Sequence, residues 1–319
     1  MHPFYPVIKP YKTHEFKVSA PHILYIEEVG NPEGIPVLIL HSGPGAGCNG
    51  NLRRFFDPQT YRMILFDQRG CGRSLPHASA ESNNTEALLN DINALREFLQ
   101  IDQFVLFGGG WGSLLALLYA QTYPQQVSAL LLFQIFLGRR KDIDWLYKSG
   151  ASFIYPDYWQ EFRSFVPPAE QDKIPQYYAK CLQGDNELAR MSAAKNWALW
   201  KARCSSLHPH LCLIEQFSDP HFALALATLE SNYIENHYFI EDNQIINNIS
   251  RIRPIPIYLV HGRYDMICPL EGAWDLHQAL PTSLLKIIRD AGHSSLETGI
   301  IDAIIDASKE LSKQKLDAS

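Results

Sequence analysis

Residues 104–107 form a short apolar run, Phe-Val-Leu-Phe, that passes without a polar break into Gly108-Gly109-Gly110-Trp111-Gly112. Residues 113–123 then read as a helix that Pro124 ends. A strand that turns straight into a helix through this many glycines predicts a sharp elbow, which pushes its central residue, Gly110, into a strained and exposed position. Elbows of this kind belong to parallel sheets with helices on their faces.

The remainder of the first half agrees. Residues 37–40 and 63–66 read as buried strands, residues 127–136 as another, and residues 85–100 as an amphipathic helix with Leu88, Leu89, Ile92, Leu95, Phe98 and Leu99 at helical spacing. From about residue 139 to residue 248 the pattern changes to aromatic and charged helical segments broken by Pro156, Pro167-Pro168, Pro175 and Pro209. Strand signals return at residues 255–260 and 284–288, and a closing helix is predicted from residue 295 to about residue 313. The expected fold is therefore α/β, a mostly parallel doubly wound sheet built from residues 1–138 and 250–319, with residues 139–249 inserted as a helical cap.

Composition narrows the partners. With 46% hydrophobic residues the chain is an ordinary folded protein, and a net charge of −6 without any Lys/Arg-dense tract gives no footprint for nucleic acid or an anionic membrane. No apolar run reaches the roughly eighteen residues of a membrane span, and residues 1–12 carry three prolines and no apolar core of a signal peptide, so a soluble, cytoplasmic protein is expected. Cys48, Cys71, Cys181, Cys204, Cys212 and Cys268 are scattered without a CxxC pair, which reads as reduced thiols. No metal-spaced cluster or cofactor fingerprint is visible, and neither a metal nor a cofactor is expected.

Chemistry concentrates at the ends of predicted strands, where open α/β sheets build their sites. Asp265, in His261-Gly262-Arg263-Tyr264-Asp265, follows one strand; His293, in Ala291-Gly292-His293-Ser294, follows the last. Elbow, acid and histidine thus occur in the chain order of α/β-hydrolases. Ser113 lies three residues into the helix and reads as a helix-start or packing serine. Neither Cys48 nor Cys71 belongs to an elbow.

Over nearly its whole length the sequence resembles the prolyl iminopeptidases, α/β-hydrolases that release an N-terminal proline. The resemblance rests on His41-Ser42-Gly43-Pro44-Gly45 (family His-Gly-Gly-Pro-Gly), on the intact Asp-Gln-Arg-Gly-Cys-Gly-Arg-Ser run at residues 67–74, on Gly-Arg-Tyr-Asp at residues 262–265 and on Gly292-His293-Ser294. The family elbow, Gly-Gly-Ser-Trp-Gly-Ser, matches residues 108–113 except at Gly110, which stands at the nucleophile position. The resemblance implies a catalytic pair Asp265 and His293, an oxyanion hole from the backbone N–H groups of Gly43 and Trp111, and cap carboxylates that bind the ammonium of a peptide or small molecule with a free N-terminus. Glu235, in Ile234-Glu235-Asn236-His237-Tyr238-Phe239, matches one such carboxylate, whereas at the other the family's Trp-Glu-Gly reads Trp200-Lys201-Ala202, a cation for an anion.

Glycine offers His293 nothing to deprotonate, so no acyl-enzyme forms at residue 110. Loss of a serine nucleophile costs roughly a factor of 10⁶ in turnover elsewhere, and peptidase activity is expected to be lost or very low. Three readings stay open: a hydrolase with residual activity, a non-catalytic relative that binds a peptide or small ligand, and an inactivated variant of an active enzyme. Ser42, Lys201 and Phe133-Gln134, the last in place of the family's Arg-Gly, depart from the pattern together with Gly110, which favours divergence over one isolated substitution.

Overall fold

A computed structural model describes residues 4–208 and 210–317, so Pro209 lies outside the described residues. In chain order the strands are β1 (Lys12–Lys17), β2 (Ile23–Gly30), β3 (Ile35–Leu40), β4 (Tyr61–Phe66), β5 (Phe104–Gly110), β6 (Val127–Ile135), β7 (Ile257–Gly262) and β8 (Leu284–Ile288). They form one sheet in the order β1-β2-β4-β3-β5-β6-β7-β8. The β1/β2 and β2/β4 pairs are antiparallel and every later pair is parallel. This is the mostly parallel α/β sheet that the sequence predicts.

The central strands are apolar on both faces because helices cover both. Side chains alternate across the sheet. Leu38, Leu40, Ile64, Phe66, Leu106 and Leu130 point into one core with α1 (Thr85–Phe98) and α2 (Trp111–Thr122). Val37, Ile39, Met63, Leu65, Val105 and Phe107 point into the other, closed by Ile300, Ala303, Ile304 and Leu311 of the C-terminal helix (Thr298–Asp317).

The sequence does not announce β1 and β2. In β1 only Phe16 is a large apolar residue, and β2 carries Glu27 and Glu28 at its centre. Both acids are buried because cations follow them in. Arg53 sets Nε and Nη2 each 2.7 Å from the Glu27 carboxylate, and Arg62 Nη2 and His14 Nε2 lie 2.7 and 2.8 Å from Glu28.

Between β6 and β7 come α3 (Arg140–Tyr147), α4 (Ala151–Ile154), α5 (Pro156–Ser164), α6 (Ile174–Gln183), α7 (Glu187–Cys204), α8 (Leu211–Ser218), α9 (Pro220–Glu235) and α10 (Gln244–Asn247), with no strand among the described residues. Stacked rings hold this segment together. Phe162 lies 4.6 Å from Tyr178 and 5.6 Å from Trp200, and Tyr147 lies 4.7 Å from Trp197, all at shallow interplanar angles. After β7 the chain forms α11 (Leu270–Ala279), and the C-terminal helix is α12. Among the described residues no helix is long and apolar enough to cross a membrane.

Candidate active site

β5 ends on Gly110, whose backbone sits at φ 55° and ψ −122°, and α2 begins at the next residue. Gly112 is required by close approach: a Cβ there would lie 2.1 Å from the carbonyl oxygen of Leu40, in the neighbouring strand. Gly110 differs. A Cβ on it would meet nothing closer than Ser42 Oγ at 3.6 Å, with Gln134 Oε1 and His293 Cε1 both at 3.9 Å. A Cβ at the apex would therefore fit without a clash, in ordinary contact with three polar side chains.

The loop after β3 is tied down from several sides. Ser42 Oγ donates to the Gly109 carbonyl at 2.9 Å. The His41 ring accepts the Gln68 N–H on Nε2 at 3.0 Å, so Nδ1 carries the proton that it donates to the Ser42 carbonyl at 2.7 Å. Burial pushes His41 below the ordinary histidine value, consistent with this neutral form. Gln68 also accepts the Trp111 indole N–H at 2.7 Å, linking the loop after β4 to the first residue of α2. Asp67 closes the set by accepting the backbone N–H groups of Cys48 and Arg73 at 2.7 and 2.9 Å.

Asp265 and His293 meet as the sequence predicts. His293 Nδ1 lies 2.9 Å from Asp265 Oδ2 and 3.0 Å from Oδ1. Asp265 Oδ1 also accepts the N–H groups of Ile267 and Cys268 at 3.0 and 2.8 Å. Burial alone would push this carboxyl up, but the His293 ring, His261 and the Cys268 N–H together hold it below the ordinary value. His261 is itself fixed, accepting the Ile135 N–H at 3.0 Å and donating to the Cys268 carbonyl at 2.8 Å. Gln134, at φ 50°, donates its side-chain amide to the His293 carbonyl.

Ser113 Oγ donates to the Gly110 carbonyl at 2.7 Å and accepts the Phe136 N–H at 3.1 Å, the helix-start role expected of it. All six cysteines are free, and burial pushes the thiols of Cys48, Cys71 and Cys268 well up, so none is a ready nucleophile. Asp265, Cys268 and His293 offer ligand atoms within 4.8 Å of one another, but the carboxylate and imidazole are engaged with each other and the thiol stays protonated. That set does not suit a metal.

Two connected spaces open at this place. The inner one, about 40 Å³, is bounded by Gly43, Gly110, Trp111 and His293 on the sheet side and by Tyr147, Lys201 and Glu230 on the helical side. The outer one, about 140 Å³, shares Ser42, Gly43, Lys201 and His293 with it. One expectation needs correction here. Glu235 is exposed at the C-terminal end of α9 and lines neither space; partial burial raises its pKa. Glu230, five residues earlier, is buried in the inner wall instead. Five residues turn a helix by about 140° beyond a full revolution, so the two acids face different ways. Lys201 does line both spaces, but it is buried against Glu230, with Nζ 2.5 Å from Oε1.

Comparison with known proteins fits this geometry. Residues 35–300 match the family described as alpha/beta hydrolase fold. The chain is 46% identical over 308 residues to a proline iminopeptidase of Xylella fastidiosa, covering 96% of this chain and 98% of that protein. It is 45% identical over 309 residues to the proline iminopeptidase of Arabidopsis thaliana, covering 96% and 81%, and 40% identical over 309 residues to that of Neisseria gonorrhoeae, covering 96% and 98%. Among solved structures, a putative aryl esterase from Burkholderia cenocepacia superposes with a TM-score of 0.63 at 16% identity over 96% of this chain and 99% of that one. The esterase RhEst1 from Rhodococcus sp. ECU1013 superposes with 0.62 at 13% identity over 94% and 98%. These structural likenesses speak for the fold alone.

Proposed function

We propose, from the premise that this chain belongs to the α/β-hydrolase fold family and within it to the proline iminopeptidases, that it keeps the hydrolase scaffold but has lost the family's covalent peptidase chemistry. The observation that carries this reading is Gly110. It holds the apex of the elbow, where a side chain would fit without a clash beside His293, and it has no side chain to offer.

In this reading the parts around the apex keep their usual roles. Asp265 orients the His293 ring through Nδ1 and would stabilise an imidazolium. The backbone N–H groups of Gly43 and Trp111 border the same inner space and would serve a developing oxyanion. Residues 139–249 act as the cap and supply Lys201 to the substrate-facing wall. Without a hydroxyl at residue 110, the proton-accepting histidine has no side-chain nucleophile to activate, and only a water could be positioned and deprotonated there to attack a substrate carbonyl. Peptide turnover then falls toward the residual that binding and oxyanion donors alone provide, roughly 10³ to 10⁴ over water.

A second reading, a relative that binds a peptide or small ligand without turning it over, is favoured by the retained space: the cavity beside the apex stays open and lined by polar groups. Turnover of a proline arylamide and of an activated ester by the parent protein tests both. Rates near those of an ordinary proline iminopeptidase would sink the proposal, and saturable binding without turnover would favour the second reading.

A further inference from the structure

We propose that the inner cavity takes an uncharged ligand bearing a carbonyl-type acceptor, because Lys201 supplies from within the chain the cation that a buried carboxylate at this place would otherwise draw from the ligand. The inference rests on the reading that ligands occupy the space beside Gly110.

Glu230 is 3% exposed and Lys201 8%, on neighbouring helices of the cap segment, α9 and α7. Both oxygens of Glu230 are taken. Oε1 lies 2.5 Å from Lys201 Nζ, and Oε2 accepts the Trp197 indole N–H at 2.8 Å. A buried carboxylate whose charge is already balanced by Lys201 has little left to attract a ligand ammonium, and an incoming cation would have to displace Lys201 or sit beside it. A ligand anion fares no better, since it would approach Glu230 as closely as Lys201. The pair is neutral as a unit, the other carboxylate facing this space, Asp142, is likewise held within the chain by Arg139 at 2.8 Å, and Phe136, Ile143, Leu146 and Ile267 supply the apolar part of the wall.

One further group selects among neutral ligands. The Tyr147 hydroxyl lines the same cavity, is buried, and has only a loose contact with the Glu230 carboxylate, outside ordinary hydrogen-bond geometry. Burial, reinforced by the charge of Glu230, pushes its pKa up and keeps the proton in place. A buried O–H held only by such a loose contact is costly, and a well-placed ligand carbonyl oxygen relieves that cost. Carboxylates already paired within the chain and one loosely held donor therefore specify a small amide or ester-like group without charge.

The test compares two probes built on one prolyl amide on the full-length protein by calorimetry: prolinamide, at a pH where its amine is protonated, and N-acetylprolinamide, which is neutral and adds an acceptor. The parent is expected to bind the neutral probe at least about tenfold more tightly. Tyr147→Phe should weaken that probe about threefold or more, and Lys201→Met, which bares Glu230, should reverse the preference toward prolinamide. Equal or tighter binding of prolinamide to the parent overturns the proposal, and so does failure of the parent to bind N-acetylprolinamide. The parent comparison needs no variant to fold. Because both measurements are of binding, turnover of a proline arylamide by the parent would sink the proposed loss of peptidase chemistry without deciding this preference.

Discussion

Ser42 Oγ donates a 2.9 Å hydrogen bond to the Gly109 carbonyl, so the loop after β3 is fastened to the strand one residue before the elbow apex. The bond fixes where Gly43 stands relative to Trp111, and hence the spacing of the two N–H groups that would face a reacting carbonyl. It also places a hydroxyl 3.6 Å from where a Cβ on residue 110 would be. The two ends of the site are thus coupled through the Ser42 hydroxyl and the backbone of β5.

Two glycines of the elbow should respond differently to alanine. At Gly112 the new Cβ would strike the Leu40 carbonyl at 2.1 Å, a backbone atom of the central sheet that cannot yield, so Gly112→Ala should fail to fold or lose more than about 3 kcal/mol. At Gly110 the space is free, and only the positive φ opposes a side chain, at about 1–3 kcal/mol. Urea denaturation of both variants checks the contrast. Equal losses would mean that the elbow is not packed as described.

Since Gly110 tolerates a side chain on packing grounds, Gly110→Ser should place a hydroxyl beside His293 and raise hydrolysis of small activated esters by about 10³-fold or more over the parent. In that background Asp265→Asn should remove most of the gain, of order 10⁴ where the same change has been made in a serine hydrolase, because the amide no longer fixes the imidazole tautomer. Steady-state kinetics on the parent and the two variants are the readout. No gain from the serine would mean that His293 cannot reach it.

The elbow, Asp265 and His293 were legible because each is embedded in a local motif whose glycines and strand ends carry the geometry. Glu230 was not. It lies in Leu229-Glu230-Ser231, with no turn or motif around it, and the nearby Glu235-Asn236-His237-Tyr238-Phe239 string drew the carboxylate role to a residue on another side of the helix. A weaker signal was present: Glu230 shares a helical face with Leu226, Ala227 and Tyr233, all buried, and a lone acid on an apolar face asks for a partner. That the partner is Lys201 depends on the packing of α7 against α9, which no periodicity within either helix encodes. β1 and β2 escaped for related reasons: the buried acids of β2 are compensated by arginines distant in sequence, and β1 is a mostly exposed strand with one large apolar residue.

Acid should weaken the fold through two buried histidines. Burial holds both His41 and His261 below the ordinary histidine value. In the window between the folded value and about 6.5, the unfolded chain binds more protons than the folded one, so stability is full above about pH 6.5 and falls as the pH drops below it. Asp265, held below its ordinary value, works in the same direction but only in a more acidic window, below about 3.9. Urea midpoints should therefore decline between about pH 7.5 and about pH 5. A flat profile down to about pH 4.5 would show that these two histidines are not held neutral.

The Lys201–Glu230 pair should behave as one unit energetically, since both side chains are buried and their charged atoms lie 2.5 Å apart. Glu230→Gln would strand a buried ammonium and should cost about 3–5 kcal/mol. Lys201→Met would strand the carboxylate with only the Trp197 N–H for support and should cost a comparable amount. Making both changes removes both charges while keeping similar volume, so the double variant should lie within about 2 kcal/mol of the parent, far less than the two losses combined. The double-mutant cycle, measured by urea denaturation, reads that coupling directly. If the two losses add within about 0.5 kcal/mol, the charges are separately solvated, and the closed pair that sets the polarity of the inner cavity does not exist in solution.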